Sequence, residues 1–266
     1  MEVNTGRVEV EKDSKEVDTG YLIELDQRLY ETPEGTKGWD WFEVKNMNGK
    51  FAYMIKYPKT DEDYFNINQH NYIKTYMESV YTAVSNKSGY EELIDVDSFV
   101  DYFIVQDLFK NVDSGFSSVY YHKDKGGKLI AGPVWDFDLS STNPGHLDDY
   151  NRSPEGWYTS RIEKNRIYYY LMQDDNFRAK LKARWLEIRD VEVQNMMDLI
   201  DPTVDYIRYS AYKNFQVWNV LGQERWEWYK SPEVYEADTY EQQIELLRDW
   251  LNRRIEWLDE EFKNNF

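Results

Sequence analysis

The chain has 266 residues, of which 41% are hydrophobic and 17% aromatic, so it can bury a sizeable core as one large domain or two small ones. The formal charge of −18 argues against a general nucleic-acid binder and against an anionic membrane surface. The absence of cysteine excludes disulfides, thiolate catalysis and cysteine-ligated zinc. No apolar run approaches the roughly 20 residues of a membrane span, and the acidic, polar start Met1-Glu2-Val3-Asn4 shows no signal peptide.

The first 57 residues have the pattern of β-strands. Residues Arg7 to Val10 alternate between polar and apolar side chains. Gly20 precedes a short apolar strand that runs to Asp26. Trp41–Lys45 and Phe51–Tyr57 flank an Asn-Gly pair, which is a strong hairpin signal. Pro58 is expected to end the second of these strands because proline has no N–H to donate.

The middle of the chain predicts two helices and a hairpin. The first helix has an apolar face of Ile73, Met77, Val80 and Val84. Asp97 is expected to cap the second, which ends near Lys110 and buries Phe99, Val100, Phe103, Ile104 and Leu108. Val119–Tyr121 and Leu129–Trp135 read as hairpin strands around Gly126-Gly127, and residues 139–160 form a long loop of the kind that often carries function.

From about residue 161 the chain reads as helical. One helix begins at Ile167, and Phe177, Leu181, Trp185 and Ile188 follow one face of the next. A third helix covers Met197, Ile200, Val204 and Ile207, with Pro202 as a possible kink. The last begins at a capping box of Thr239 and Gln242, and its face comprises Ile244, Leu247, Leu251, Ile255, Leu258 and Phe262. The predicted fold class is α+β, with a β-rich front and a helical back.

Two acidic clusters lie 23 positions apart, and the chain between them reads as a hairpin. The first is Asn111-Val112-Asp113 and the second is Trp135-Asp136-Phe137-Asp138. The elements follow one another as helix, acidic loop, hairpin and Asp-Phe-Asp. Protein kinases place their catalytic loop and metal-binding aspartate in the same order. Asp113 suits proton acceptance from an attacking hydroxyl, and Asp136 suits Mg²⁺. Asp138 shares a face with Asp136 if the strand continues, which makes it a candidate ligand of a second metal ion or a further ligand of the first. Asn111 is a candidate to orient Asp113 or to add a carbonyl ligand.

Other interpretations of these residues stay open. An aspartate after a helix is a common turn residue, and Asp-Phe-Asp also occurs as a solvated strand end. An acid buried among Val134, Trp135 and Phe137 would need a partner or a metal. Asp-x-Asp also suits a metal-dependent nucleotide-sugar transferase. A non-catalytic interaction module on a cell surface or in an extracellular complex is a further alternative. The aromatic residues that could stack on sugars or on a partner are Trp157, Tyr158, Trp226, Trp228 and Tyr229.

Several motifs resemble the CotH kinase family of spore-coat and bacterial surface proteins. The most specific is the run Gly132-Pro133-Val134-Trp135-Asp136-Phe137-Asp138. Weaker ones are Ile94 to Phe103, Gly20 to Asp26, Ile55 to Pro58, and the closing pattern of Trp250, Leu251, Arg254, Ile255, Trp257 and Leu258. The resemblance covers nearly the whole chain.

The resemblance implies a kinase-like fold, a secreted, cell-surface or spore-coat location, and protein Ser/Thr phosphorylation with ATP and Mg²⁺ or Mn²⁺. It implies that Asp113 is the catalytic aspartate and that Asp136 binds metal. Ser118 stands where kinases place an asparagine ligand of a second metal ion. Lys56 corresponds to a kinase strand lysine that contacts phosphates; an exposed strand lysine is the alternative, because only 57 positions separate it from Asp113.

The resemblance also implies one kinase-like domain over residues 1–266, with a β-rich portion at 1–60 and a mainly helical catalytic lobe at 61–266. The family's N-terminal region is not found, and no Gly-rich loop that could cover phosphates precedes residue 50. The expectation is either a piece of a larger protein or a short form with a reduced nucleotide site. A protein substrate that is basic and rich in serine fits the acidic surface, because opposite charges attract at a distance.

Overall fold

The strands of the front portion form one antiparallel sheet. The computed structural model describes residues 16–31, 40–46, 49–58, 67–144, 152–161, 163, 165–223 and 231–266. Its strands are β1 (Tyr21–Leu25), β2 (Trp41–Asn46), β3 (Gly49–Tyr57), β4 (Val119–Lys123) and β5 (Leu129–Ala131). Their order in the sheet is β2-β3-β1-β4-β5, and every pairing is antiparallel. The predicted β-rich front of an α+β fold is therefore confirmed.

The β2–β3 hairpin has the register that the Asn-Gly pair predicts. Asn46 pairs with Gly49, and Phe42 pairs with Tyr53 farther along the ladder. Pro58 directly follows the end of β3. Residues 47–48, which form the predicted turn, and the predicted strand Arg7–Val10 both lie outside the described residues.

One face of the sheet packs on the first helix. Helix α1 (Ile67–Asn86) presents the predicted Ile73, Met77, Val80 and Val84, all fully buried. From the sheet, Tyr53 donates or accepts a hydrogen bond of 2.8 Å with the hydroxyl of Tyr81. The other face of the sheet carries Glu24, Lys56 and Tyr120. This separation follows from strand geometry, since successive side chains point to opposite faces.

Helix α2 (Val96–Leu108) buries the predicted stripe, but its cap is not the predicted residue. The carboxylate of Asp95 accepts a hydrogen bond from the backbone N–H of Ser98 at 2.8 Å. Asp97 is the second residue of the helix and lies within its first turn. The cap position therefore belongs to Asp95, because its side chain reaches the unpaired N–H groups of the first turn.

The predicted strand Leu129–Trp135 is shorter than expected. β5 ends at Ala131, where Gly132 has a φ of 125° and Pro133 has no N–H to continue the ladder. Residues 133–138 are irregular. The prediction that Asp138 shares a strand face with Asp136 is therefore wrong, because the strand alternation stops before either residue.

The back of the chain is helical, as predicted. The helices are α3 (Arg166–Leu171), α4 (Asp175–Ile188), α5 (Gln194–Asp198), α6 (Ile200–Val217), α7 (Pro232–Glu236) and α8 (Tyr240–Asn264). The capping box of Thr239 and Gln242 starts α8, as predicted. None of the described helices combines the length and apolar composition of a membrane span.

The prediction for the third helix of this part is only partly right. The helical pattern breaks at Leu199, between α5 and α6. Pro202 lies in the first turn of α6, where its missing N–H leaves no hydrogen bond unmade, so it starts a helix rather than kinking one. No residue of α6 is buried, and Tyr206, Tyr209 and Tyr212 are strongly exposed.

The chain divides into two compact units, each made of three segments. The sheet unit comprises residues 1–105, 113–136 and 159–178. The helical unit comprises residues 106–112, 137–158 and 179–266. In the helical unit, α8 buries Trp250, Leu251, Ile255, Leu258 and Phe262, and the ring of Phe262 stacks on Trp185 at 5.3 Å between centroids.

Candidate functional site

The first acidic cluster lies in a turn, as predicted. Helix α2 ends at Leu108, and the turn begins at Asp113, whose carbonyl oxygen accepts hydrogen bonds from the N–H groups of Phe116 and Ser117 at 3.0 and 3.3 Å. The side chain of Asp113 is half-buried. These bonds fix the backbone of Asp113 at the start of the segment that leads into β4.

The second cluster reaches the end of that same turn. The hydroxyl of Ser118 donates a hydrogen bond of 3.2 Å to Oδ2 of Asp136. The β4–β5 hairpin accounts for this contact, since Ser118 directly precedes β4 and Asp136 follows β5 by five residues. Both residues have a positive φ, 58° for Ser118 and 61° for Asp136. Such backbone conformations cost free energy and are concentrated at functional sites.

The carboxylate of Asp136 is exposed, so its apolar neighbours do not bury it. Val134 and Trp135 are themselves 46% and 51% exposed. The expectation that Asp136 is buried, and therefore needs a partner or a metal ion, is wrong. Exposure leaves the carboxylate accessible to a ligand from solvent.

Asn111 and Asp138 belong to the helical unit. There the segment before Asp113 runs beside the segment after Asp136, because Val112 donates to the carbonyl of Leu139 at 3.2 Å and Ser141 donates to that of Phe109 at 2.8 Å. Asn111 is buried, and its N–H bonds to the carbonyl of Gln106 at 2.9 Å. Asp138 is exposed.

Lys56 makes an ion pair on the polar face of the sheet. Its Nζ lies 2.8 Å from Oε2 of Glu24, a side chain that is only 6% exposed. The register pairs Glu24 with Met54 on one side and with Tyr120 on the other, which places Lys56 and Glu24 on the same face. Burial, the charge of Glu24 and a hydrogen bond to Glu24 raise the pKa of Tyr120. Lys56 is thus held toward this face rather than extended into solvent.

Glu24 was not predicted as a site residue from the sequence. A single acid inside the apolar strand Tyr21–Leu25 was the available signal, because a buried carboxylate needs a partner. Identifying that partner as Lys56 requires the β1–β3 register.

Two buried cations hold the loop that follows the second cluster, and both were missed. Arg254 of α8 is fully buried and donates to the carbonyl oxygens of Pro154 and Gly156 at 2.7 and 2.8 Å. It also pairs with the buried carboxylate of Asp107, 3.1 Å away. Lys110 donates to the carbonyl oxygens of Ser153 and Glu155. The Arg254 of the closing sequence motif is therefore the anchor of residues 153–156.

The aromatic residues proposed as glycan platforms are packed wherever the structure describes them. Tyr158 is 1% exposed. The ring of Trp157 packs against Trp257 and Phe262 at 5.1 and 5.6 Å, and its indole N–H donates to Glu261. Trp226, Trp228 and Tyr229 lie outside the described residues. Tyr158 is thus part of the interior of the helical unit, and Trp157 is half-buried against it.

The oxygen ligands that could hold a metal ion are few. Across the described ranges there is no group of three or more His, Cys, Asp or Glu side chains with metal-binding geometry. Asp136 and the Ser118 hydroxyl do offer two hard oxygen donors side by side. This set fits Mg²⁺, which is usually held by one or two carboxylates together with water and substrate phosphates.

Comparison with known proteins gives the family. A family model described as CotH kinase protein matches residues 7–258, nearly the whole chain. No curated protein sequence matches significantly. The extent of that match, together with the Asp-Phe-Asp element beside the Asp113 turn, shows that the chain belongs to the CotH kinase family.

Proposed function

We propose that this chain is an atypical protein Ser/Thr kinase domain that transfers the γ-phosphoryl group of ATP in the presence of Mg²⁺ or Mn²⁺. The observation that carries the proposal is the hydrogen bond between Ser118 and Asp136. It joins the turn that begins at Asp113 to the Asp-Phe-Asp element, and phosphoryl transfer requires a proton acceptor near a metal-binding carboxylate.

Each residue of the site has a distinct role in this proposal. Asp113 accepts the proton of the attacking hydroxyl. Asp136 and Ser118 would hold Mg²⁺, which when bound neutralises the charge of the phosphates. The metal-binding role of Asp138 and the supporting role of Asn111 stay predictions from the sequence. Lys56, oriented by Glu24, binds the phosphates.

The transfer step conserves atoms and charge. The oxygen of the substrate hydroxyl forms a bond to the γ-phosphorus while the bond from that phosphorus to the β–γ bridging oxygen breaks. The hydroxyl proton passes to the carboxylate of Asp113, and the products are ADP and a phosphoserine or phosphothreonine. Asp113 contributes by orienting the hydroxyl and removing its proton, an effect of about 10²- to 10⁴-fold for positioned general bases.

The substrate class follows from charge. With a net charge of −18, the domain attracts basic segments more strongly than acidic ones. We therefore include a basic, serine-rich protein substrate and a spore-coat or cell-surface location in the proposal. The location is supported by family membership alone.

The proposal is tested by phosphate transfer to a basic, serine-rich protein from labelled ATP, with nucleotide binding measured in parallel. We expect Asp113→Ala to lose about 10²-fold or more in transfer while still binding ATP–Mg²⁺. Asp136→Ala should lose both transfer and the metal dependence of binding. Asp249→Ala, which removes an exposed carboxylate of α8, is the matched control and should behave as wild type.

Two results would contradict the proposal. One is equal transfer by wild type and Asp136→Ala, which would place the activity elsewhere or in a contaminant. The other is an absence of nucleotide binding by the wild-type protein in Mg²⁺ and in Mn²⁺.

A further inference from the structure

A second cation lies next to the Asp113 turn, on a short 3-10 helix (Gln27–Glu31) that directly follows β1. This cation is Arg28, whose side chain is 53% exposed. Its guanidinium is held by Asp26, with Nε 2.9 Å from Oδ1 and Nη2 3.4 Å from Oδ2. Two contacts to one carboxylate fix the plane of the guanidinium, and Nη1 takes part in neither.

The backbone ties Arg28 to the Asp113 turn. The N–H of Gln27 donates to the carbonyl oxygen of Phe116 at 2.7 Å, and the N–H of Phe116 donates to that of Asp113 at 3.0 Å. The N–H of Asp26 in turn donates to Ala52 of β3 at 3.0 Å. The position of Arg28 relative to the turn is therefore set by short backbone hydrogen bonds and not by a flexible side chain alone.

Charges of the site act on Arg28. The hydrogen bond to Asp26 raises the pKa of the guanidinium above its ordinary value, and the negative charges of Asp26, Glu24 and Asp113 raise it further. Arg28 thus lies within the electrostatic field of Asp113. An interaction of this kind falls off with distance, especially at an exposed position in salt.

The balance of charge explains why a phosphate site needs this residue. Four carboxylates surround the polar face and the turn, those of Glu24, Asp26, Asp113 and Asp136. On the described part of this face, the counter-charge that Lys56 offers to an incoming triphosphate is already paired with Glu24, 2.8 Å away. A second fixed cation near Asp113 offsets the repulsion between the four carboxylates and the phosphates.

We propose that Arg28 is a phosphate-binding residue of the nucleotide site and that it forms, with Lys56, a two-cation clamp. The guanidinium suits this role because its planar fork matches phosphate oxygens and it stays charged at all relevant pH values. Asp26 orients the fork and leaves Nη1 to face the ligand. This inference rests on the proposed function, because it assigns a residue to the same nucleotide site.

The test compares nucleotides that differ only in the number of phosphates. We measure the dissociation constants of ATP, ADP and AMP in Mg²⁺ by calorimetry for wild type, Arg28→Gln and Arg28→Lys. We expect Arg28→Gln to weaken ATP binding by about tenfold or more, because charge-assisted contacts are among the strongest. The affinity for ADP should fall by less, and the affinity for AMP should stay nearly unchanged. The ATP affinity of Arg28→Lys should lie between those of wild type and Arg28→Gln, because lysine keeps the charge but lacks the planar fork of the guanidinium.

Arg253→Gln is the matched control. Arg253 lies on α8 and is 57% exposed, close to the 53% of Arg28, and it too pairs with an aspartate, Asp249. Its replacement changes the net charge of the protein by the same amount. A loss of ATP affinity in this variant equal to that in Arg28→Gln would mean that only the overall charge matters, and it would overturn the inference.

The failure of this inference can be told apart from failure of the proposed function. If wild type binds no nucleotide, the proposed function fails and the inference with it. If wild type binds ATP and Arg28→Gln has the same ATP affinity, only the inference fails. The same holds if Arg28→Gln loses affinity for ATP, ADP and AMP by the same factor. If Arg28→Gln does not fold, the ATP-to-AMP ratio of Arg28→Lys decides, and a ratio equal to that of wild type overturns the inference.

Discussion

Ser118 has a backbone conformation that suits asparagine better than serine. Its φ of 58° lies in the left-handed region, where Asn is several-fold enriched among non-glycine residues. We expect Ser118→Asn to keep or slightly raise the melting temperature, because less backbone strain remains. We also expect it to strengthen Mg²⁺-dependent ATP binding, since an amide oxygen is a better metal ligand than a hydroxyl. Thermal unfolding with and without ATP–Mg²⁺ measures both effects.

The control for this substitution is Ser118→Ala. It removes the hydrogen bond to Asp136 and offers no ligand, so its ATP–Mg²⁺ stabilisation should fall below that of wild type. Equal stabilisation of the Asn, Ala and wild-type proteins by ATP–Mg²⁺ would show that position 118 does not contribute to the metal site.

Asp18 makes part of the stability depend on pH. Partial burial raises the pKa of this carboxyl, but hydrogen bonds from Lys123 and Tyr72 and the charge of Lys123 outweigh burial, so its pKa lies below the ordinary 3.8. Lys123 is buried, and its ammonium also lies 5.6 and 5.3 Å from the ring centroids of Tyr72 and Tyr76. A carboxyl with a lowered pKa stabilises the folded state above its unfolded pKa and loses that contribution as the pH falls through the folded value.

We therefore expect Asp18→Asn to be less stable than wild type at neutral pH, with a difference that narrows as the pH falls below about 4. Urea unfolding of both proteins across this pH range measures the difference. A gap that stayed constant with pH would mean that the ionised carboxylate is not what stabilises the fold.

At the scale of elements, α8 matters because it carries Arg254 into the interior. Replacing Arg254 by Met leaves the carboxylate of Asp107 buried without its cation and leaves two loop carbonyls without donors. Breaking a buried pair in this way costs about 3–5 kcal/mol. We expect Arg254→Met to lose that amount of unfolding free energy in urea titrations.

Arg253→Met is the control at the neighbouring position. Because Arg253 is exposed, this variant should lose no more than about 0.5 kcal/mol of unfolding free energy. The double variant Asp107→Asn/Arg254→Met should lose less than the sum of the two single variants, because each partner is costly mainly when the other remains charged. Additive losses would argue that the two side chains act independently.

Apolar spacing predicted the helices whose faces are buried. It worked for α1 and α2, where residues three and four apart meet the core. It failed for α6, because Ile200, Val204 and Ile207 have helical spacing but no buried face to form. Periodicity states which side of a helix is apolar, and only tertiary packing decides whether anything covers it.

The sequence predicted the order of the site residues along the chain but not the contacts between their side chains. The chain order of Asp113, hairpin and Asp136 was visible in the sequence, and the structure adds that Asp136 meets Ser118. The pairs Lys56–Glu24 and Arg254–Asp107 could not be read from sequence, because the first depends on strand register and the second joins residues 147 positions apart. Asp97 was mistaken for a cap because Asp95, two residues earlier, is the same residue type.

For the whole molecule, the net charge of −18 is the dominant electrostatic feature. Like charges at the surface repel one another in the compact state, and salt shortens their range from about 30 Å at 0.01 M to about 8 Å at 0.15 M. Most ion pairs among the described residues have at least one exposed partner, and such pairs contribute little. We therefore expect the melting temperature to rise between 0.01 M and 0.15 M NaCl.

The same series near the isoelectric point of 4.6 is the control, because the net charge and its self-repulsion vanish there. A melting temperature that falls with salt at neutral pH would show that attractive ion pairs outweigh the net repulsion.

The anchoring of residues 152–156 has a consequence for proteolysis. Trypsin would cleave after Arg152, but the carbonyl of that peptide bond accepts a hydrogen bond from the indole N–H of Trp250 at 2.8 Å. The next four carbonyls, from Ser153 to Gly156, are held by Lys110 and Arg254. A protease needs its substrate extended, so all these bonds must open first. The Arg152–Ser153 bond is thus a built-in reporter whose cutting rate in native buffer follows the opening of the helical unit.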